Sequence, residues 1–233
     1  MNRLDGTIVA ITGAFGNLGL VTAQALAERG AKVALIGRGK PPAHLPASLD
    51  HACVVSGIDL AERDAAQRAV DSIASQLGGL NALVNVAGAF SWESIADGSA
   101  DTWERMFDVN VKTTLNASKA VLWHLTRTAG GRIVNVGAMA GLKAGMGMGA
   151  YAASKAGVMR LTEALAEELK DKGATVNAIL PSIIDTPQNR ADMPDADFTR
   201  WVTPEQIAAV IAFLLSKEAQ CMTGALIPVA GRV

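Results

Sequence analysis

A chain of 233 residues, half of them apolar and 18% charged, suits one large domain with a substantial buried core. Its net charge of −1 excludes a broad basic field for nucleic acid or an anionic membrane. Two cysteines, Cys53 and Cys221, lie far apart without metal-ligand spacing, so two buried free thiols, no metal and a reducing compartment are expected. The first twelve residues lack the basic-then-apolar pattern of a secretory leader, and the longest apolar run, residues 207–215, is too short to span a bilayer. The expectation is a cytoplasmic protein of one domain, residues 1–233, with no nucleic-acid or membrane partner.

Short apolar strands alternate with amphipathic helices from end to end. Residues 7–11 read as the first strand, followed by a glycine turn and a helix over 18–29 that Gly30 closes. Strands follow at 32–36 and 52–56, separated by a loop that holds Pro41, Pro42 and Pro46. A helix over 61–77 leads to a fourth strand at 80–86. Residues 102–129 read as helical, in two helices meeting near Val111. A fifth strand at 132–136 and a glycine- and methionine-rich loop at 141–149 precede a helix over 151–170. Strand six spans 175–180, residues 182–203 read as irregular, a last helix covers 204–216, and 226–229 forms a final strand. Near-continuous apolar strands between helices are covered on both faces. This predicts an α/β fold with a doubly wound, Rossmann-type parallel sheet, whose ligands sit beyond the carboxyl ends of its strands.

The informative residues follow those strand ends. Thr12, Gly13, Ala14, Phe15, Gly16, Asn17, Leu18 and Gly19 join the first strand to the first helix. Gly13 allows a tight turn, Gly16 lets backbone approach a pyrophosphate, Gly19 lets helix pack on strand, and the helix N-terminus offers free N–H groups to phosphate. Gly37 and Arg38 end the second strand with Lys40 close by and no carboxylate until Asp50. A carboxylate would accept from a ribose diol, whereas a guanidinium suits a 2′-phosphate, so NADP is expected ahead of NAD. After the third strand come Asp59 and Leu60. Asp59 suits either acceptance from an adenine amino group or capping of a helix near Ala61, with Glu62 three residues on, and the two roles are compatible. Asn85, Val86, Ala87 and Gly88 end the fourth strand, where small residues let a cofactor lie close. The segment from Pro181 to Pro187 follows strand six, and the Thr186 hydroxyl is placed to meet a nicotinamide carboxamide.

Tyr151 and Lys155 stand four apart on one helix face. A free phenol, with a pKa of about 10, is a poor proton shuttle at neutral pH, and a neighbouring ammonium favours the phenolate and lowers that value. Asn110 is an amide inside a helical stretch, suited either to holding a water in a proton path to Lys155 or to a local helix irregularity. Trp92, Trp201, Met146 and Met148 suit a flat apolar pocket or plain core packing, and His124 reads as a helix-surface histidine.

Together these residues resemble the short-chain dehydrogenase/reductase family over essentially the whole chain. The resemblance implies that Tyr151 is the catalytic acid/base, Lys155 its electrostatic and ribose-binding partner, and Asn110 the support of a proton relay. It also implies a homo-oligomer, a dimer or tetramer, formed through the helices around Asn110 and Tyr151. Three positions depart from the family pattern. Ala138 stands thirteen residues before Tyr151, where the family usually has a carbonyl-polarising serine. Gly16 and Asn17 replace a commoner Ser-Gly, and Val86 replaces the second asparagine of Asn-Asn-Ala-Gly. A donor of the serine's kind is typically worth about 10²–10³ in rate.

One branch, the quinonoid dihydropteridine reductases, is similar to this chain at Gly137 and Ala138, at residues 147–151 and across 185–201, and it too lacks that serine. Arg38 and Asn110 depart from that branch. The expected activity is NAD(P)H-dependent hydride transfer to a small planar carbonyl- or imine-type substrate. A generic ketone or 3-oxoacyl reductase and a non-catalytic NAD(P)-binding scaffold or sensor are the alternatives.

Overall fold

The computed structural model describes residues 3–127 and 130–233. Seven strands form one all-parallel sheet: β1 (Ile8–Thr12), β2 (Lys32–Ile36), β3 (Cys53–Val55), β4 (Ala82–Asn85), β5 (Arg132–Val136), β6 (Thr175–Pro181) and β7 (Leu226–Val229). Their order is β3-β2-β1-β4-β5-β6-β7. The chain therefore winds one way from β1 and the other way from β4, and a crevice opens between those two strands.

Successive side chains of a strand point to opposite faces, so each strand feeds two cores. Val9, Ile11, Val33, Leu35 and Val134 pack on one face against Leu18 and Leu26 of α1 (Asn17–Ala27) and against Ile207, Ile211 and Leu214 of α7 (Pro204–Leu215). Ala10, Ala34, Leu83 and Ile133 pack on the other. Their partners are Val70 and Ile73 of α2 (Arg63–Leu77), Val121 and Leu125 of α4 (Thr113–Arg127), and Leu165 and Leu169 of α5 (Gly149–Leu169). Both faces are thus apolar, which explains the unbroken apolar runs of the strands.

Several expectations need correction. The helix expected from residue 61 begins at Arg63, because Asp59 Oδ1 accepts from Ala61 N–H (2.9 Å) and closes a separate turn first. The helical stretch expected over 102–129 is α3 (Ala100–Met106), a π-helical turn over Phe107–Lys112 that contains Val111, and then α4; residues 128 and 129 lie outside the described residues. The segment expected to be irregular holds α6 (Pro187–Asp192), started by Thr186, whose hydroxyl accepts from Asn189 N–H, with Pro187 at the first position. Cys53 is buried and Cys221 is exposed, rather than both buried, and both are free thiols. No helix among the described residues is long and apolar enough to cross a membrane.

Candidate active site

A cleft of roughly 310 Å³ opens at the carboxyl edge of the sheet, between the turns after β1 and β4. Gly13, with φ +64°, occupies the left-handed region, and a Cβ there would lie 2.8 Å from the Ala87 backbone. A Cβ on Gly19 would collide with the Gly13 carbonyl and Ala14, so this glycine seats α1 on the turn itself. Gly16 is the N-cap of α1 and meets no close neighbour, which leaves its surface open to a ligand. Asn17 and Leu18 complete this wall. Behind it, the Thr12 hydroxyl accepts from the Val86 and Ala87 N–H groups, both at 3.1 Å, and ties the two turns together.

A buried polar rung supports the floor. Asn85 Nδ2 donates to Asn135 Oδ1 (2.9 Å) across the β4–β5 pair and to Ser118 Oγ, and Asn135 Nδ2 donates to Thr162 Oγ1 (2.9 Å). Asn110 sits fully buried in the π-helical turn. Its Oδ1 accepts from Ala89 N–H and its Nδ2 donates to the Ala89 carbonyl and to Ser154 Oγ, each at 3.0 Å. The wider turn supplies a physical reason for an asparagine at this helix position: it aims the amide at the strand-end backbone. A Cβ on Gly88 would lie 2.5 Å from Asn110 Oδ1 and 3.2 Å from Lys155 Nζ, so that glycine is required by space alone.

Tyr151 and Lys155 lie on the first turns of α5 and both line the cleft. Lys155 is 5% exposed. Its Nζ donates to the Val136 carbonyl (2.9 Å) and stands 6.0 Å from the centre of the Tyr151 ring. Burial pushes the Lys155 ammonium down to about 8 and the Tyr151 phenol up to about 12. The expected lowering of the phenol by its neighbour is therefore replaced by a rise, whose cause is burial. The amine is engaged by a carbonyl, and desolvation dominates both groups. Phe90, 56% exposed, meets Tyr151 edge-on with ring centres 5.0 Å apart. Ala138 is buried in the cleft wall and offers no hydroxyl.

The sequence-derived site residues divide accordingly. Gly13, Gly16, Asn17, Leu18, Gly19, Ala87, Gly88, Tyr151, Lys155 and Pro181 share the cleft. Thr12, Asn85 and Asn110 lie buried behind it. Phe15 covers Gly37, where a Cβ would clash with its ring. Arg38 is exposed beyond β2 and makes no hydrogen bond or ion pair among the described residues. Asp59 is exposed, and Leu60 is held to α4 through its carbonyl by Asn116 Nδ2 (2.9 Å). Thr186 lines a separate hollow with Asp185 and Arg190, away from Tyr151.

Neither tryptophan nor methionine from the expected apolar pocket lines the cleft. Trp201 is in the core, Trp92 lies over Gly147, and Met146 is exposed. His124 is half-buried, its ring edge-on to Trp123. Phe90, Asn135 and Ser154 escaped the sequence reading. The first two end or follow β4 and β5, and Ser154 sits between Tyr151 and Lys155, so strand-end position was the available signal.

Fold and cleft together define an oxidoreductase built on a doubly wound sheet. The short chain dehydrogenase family model matches residues 7–197. The chain is 34% identical to 2-(S)-hydroxypropyl-CoM dehydrogenase 3 of Xanthobacter autotrophicus, over 99% of this chain and 97% of that protein. It is 31% identical to the 3-oxoacyl-(acyl-carrier-protein) reductase FabG of Vibrio cholerae, over 98% of each. Among solved structures, NAD⁺-bound xylitol dehydrogenase superposes with a TM-score of 0.89 at 29% identity, over 97% of this chain and 98% of that one. The protein belongs to the short-chain dehydrogenase family. Among these relatives, 3-oxoacyl reduction and alcohol dehydrogenation are represented, and dihydropteridine reduction is not.

Proposed function

We propose that this protein is an NAD(P)H-dependent reductase of a small planar carbonyl- or imine-type substrate, with Tyr151 giving the proton. The observation that carries this reading is the meeting of Tyr151, Lys155 and the Gly13–Gly19 turn at one cleft whose wall, at Ala138, lacks a second donor. The glycine turn fits a dinucleotide: Gly13 lets the turn after β1 close against the Ala87 backbone, Gly88 leaves room for Asn110 and Lys155, and Gly16 opens the α1 N-terminus to a diphosphate. A nicotinamide dinucleotide, when bound, supplies the hydride. The chain does the rest. Asn17 and the α1 backbone bind the diphosphate, Lys155 binds ribose hydroxyls, and Asn110 fixes the Ala89 backbone and Ser154. The Tyr151 Oη–H bond breaks as its proton passes to the substrate oxygen or nitrogen, and Lys155 stabilises the phenolate left behind. Asp59 and Leu60 border the adenine end, Pro181 the nicotinamide end, and Arg38, free and exposed, selects the 2′-phosphate of NADP over NAD. Thr186 would hold the carboxamide.

Ala138 favours electron-poor substrates that need less polarisation than a ketone. A quinonoid dihydropterin is such a ring, and the likeness at 185–201 supports a dihydropteridine reductase-like activity. The reductase and dehydrogenase relatives support the second reading, a generic ketone or 3-oxoacyl reductase. A homo-oligomer in the cytoplasm completes the proposal; Trp103, Phe107 and Trp123 expose apolar surface along α3 to α4. The test is a carbonyl panel plus a quinonoid pterin, with NADPH and NADH, followed by loss of reduced-cofactor absorbance. Tyr151→Phe reduces turnover by orders of magnitude with cofactor affinity little changed. Unchanged turnover refutes the role of Tyr151, and silence across the panel despite tight cofactor binding favours a scaffold.

A further inference from the structure

Three neighbouring strands build the Tyr151 end of the cleft through the residues that follow them. Phe90 comes after β4, Ala138 after β5 and Ile184 after β6, and all three line the cleft. The order β4-β5-β6 therefore seats the small Ala138 between a phenyl and a branched aliphatic side chain. Lys155 is the one charged side chain in this lining among the described residues, and it is buried with its Nζ on the Val136 carbonyl. Such a wall recognises an uncharged, apolar group.

Phe90 takes no part in the apolar cores. It packs against none of the three buried clusters, and its one ring contact among the described residues is Tyr151, at an interplanar angle of 77°. An edge-on pair covers at most one face of the phenyl, and more than half of the residue stays exposed. Tyr151 must come within about 3 Å of the atom it protonates. A ring bonded to that same reducible carbon can therefore come within ~4.5–7 Å of the Phe90 ring, centre to centre, where two aromatic rings stack.

We propose that Phe90 determines specificity: its open face stacks on a ring conjugated to the reducible bond. The cleft then takes an aryl ketone, or a carbonyl or imine within a flat conjugated ring, in preference to its saturated counterpart. The proposal rests on the reading of Tyr151 as proton donor and names the substrate class for that same cleft.

Ethyl benzoylformate and ethyl cyclohexylglyoxylate carry the same activated keto ester and differ chiefly in whether the ring is flat or puckered. Their binding to protein loaded with oxidised nicotinamide cofactor, which has no hydride to give, is measured by calorimetry, beside turnover with the reduced cofactor. The aryl ester is expected to bind about fivefold more tightly. Phe90→Leu keeps apolar bulk, retains the thermal midpoint because the ring belongs to no core, and brings that ratio to one or less; Phe90→Trp keeps or widens it. A ratio that survives Phe90→Leu, an equal loss of both esters in that variant, no preference in the wild type, or no binding of either ester overturns the proposal. Failure of the reductase reading shows separately: neither ester is reduced, whereas the binding ratio still responds to Phe90.

Discussion

Lys155 is a group whose removal should stabilise the protein while disabling it. It is buried, it lacks a carboxylate partner among the described residues, and its ammonium is pushed from 10.5 down to about 8 by desolvation. The unfolded chain therefore binds the extra proton between pH 8 and 10.5. Wild-type stability rises with pH across that window, and the full penalty applies below it. At ~1.36 kcal/mol per pH unit the penalty at pH 7 is about 3 kcal/mol. Lys155→Met removes it but also leaves the Val136 carbonyl without its donor, a loss of about 1 kcal/mol.

The net gain of about 2 kcal/mol corresponds to a rise in Tm of roughly 4–8 °C for a chain of this size. Thermal scans of the cofactor-free variant and wild type from pH 7 to 10.5 should show this gap closing above pH 8 and inverting near the top of the range. A variant no more stable than wild type at pH 7, or a gap that ignores pH, refutes the reasoning.

Gly88→Ala places a methyl against Asn110 Oδ1 and Lys155 Nζ. It should cost about 1–3 kcal/mol in urea unfolding and about 10²-fold in kcat/KM through misplacement of the lysine. A fully active Gly88→Ala enzyme would show that this close packing is dispensable. Ala138→Ser adds a hydroxyl to the cleft wall and should raise turnover of simple ketones about 10²-fold, read against an electron-poor substrate whose rate changes little. Equal effects on both would remove the rationale for the alanine.

The strands and their cover on both faces were legible because two-faced burial leaves an unmistakable apolar pattern in Val9–Thr12, Lys32–Ile36 and Arg132–Val136. The cleft was legible for a related reason: in a doubly wound sheet, whatever follows β1, β4 and β5 converges. What escaped was set by contacts far apart in sequence. Thr186 has the composition of a ligand contact, and its hydroxyl also accepts from Asn189 N–H to start α6, leaving its O–H free to donate. Asp59, read as an adenine contact, a helix cap or both, closes a turn through Ala61 N–H and lies four residues ahead of the first helical residue, Arg63. The tryptophans and methionines stood open between pocket lining and core packing, a choice that tertiary packing decides. It placed Trp201 in the core and left Phe90, an unremarked side chain, against the tyrosine.

The perturbed values at Tyr151 and Lys155 together imply a preferred direction. Near neutral pH a phenol held at about 12 is almost wholly protonated, with a phenolate fraction of about 10⁻⁵ at pH 7. It is a loaded acid, and a poor acid only toward weak bases. A developing alkoxide or amide anion is a strong base, so Tyr151 donates readily as hydride arrives. The reverse reaction first needs the phenolate, which the cleft disfavours through the same desolvation. Reduction should therefore vary little between pH 6 and 8, while oxidation should climb about tenfold per pH unit until Tyr151 titrates. A Lys155 ammonium turned from Val136 toward the phenol would lower that titration. The ultraviolet titration of the chain's one tyrosine in Lys155→Arg, where charge survives, against Lys155→Met, where it does not, measures how far the ammonium shifts the phenol.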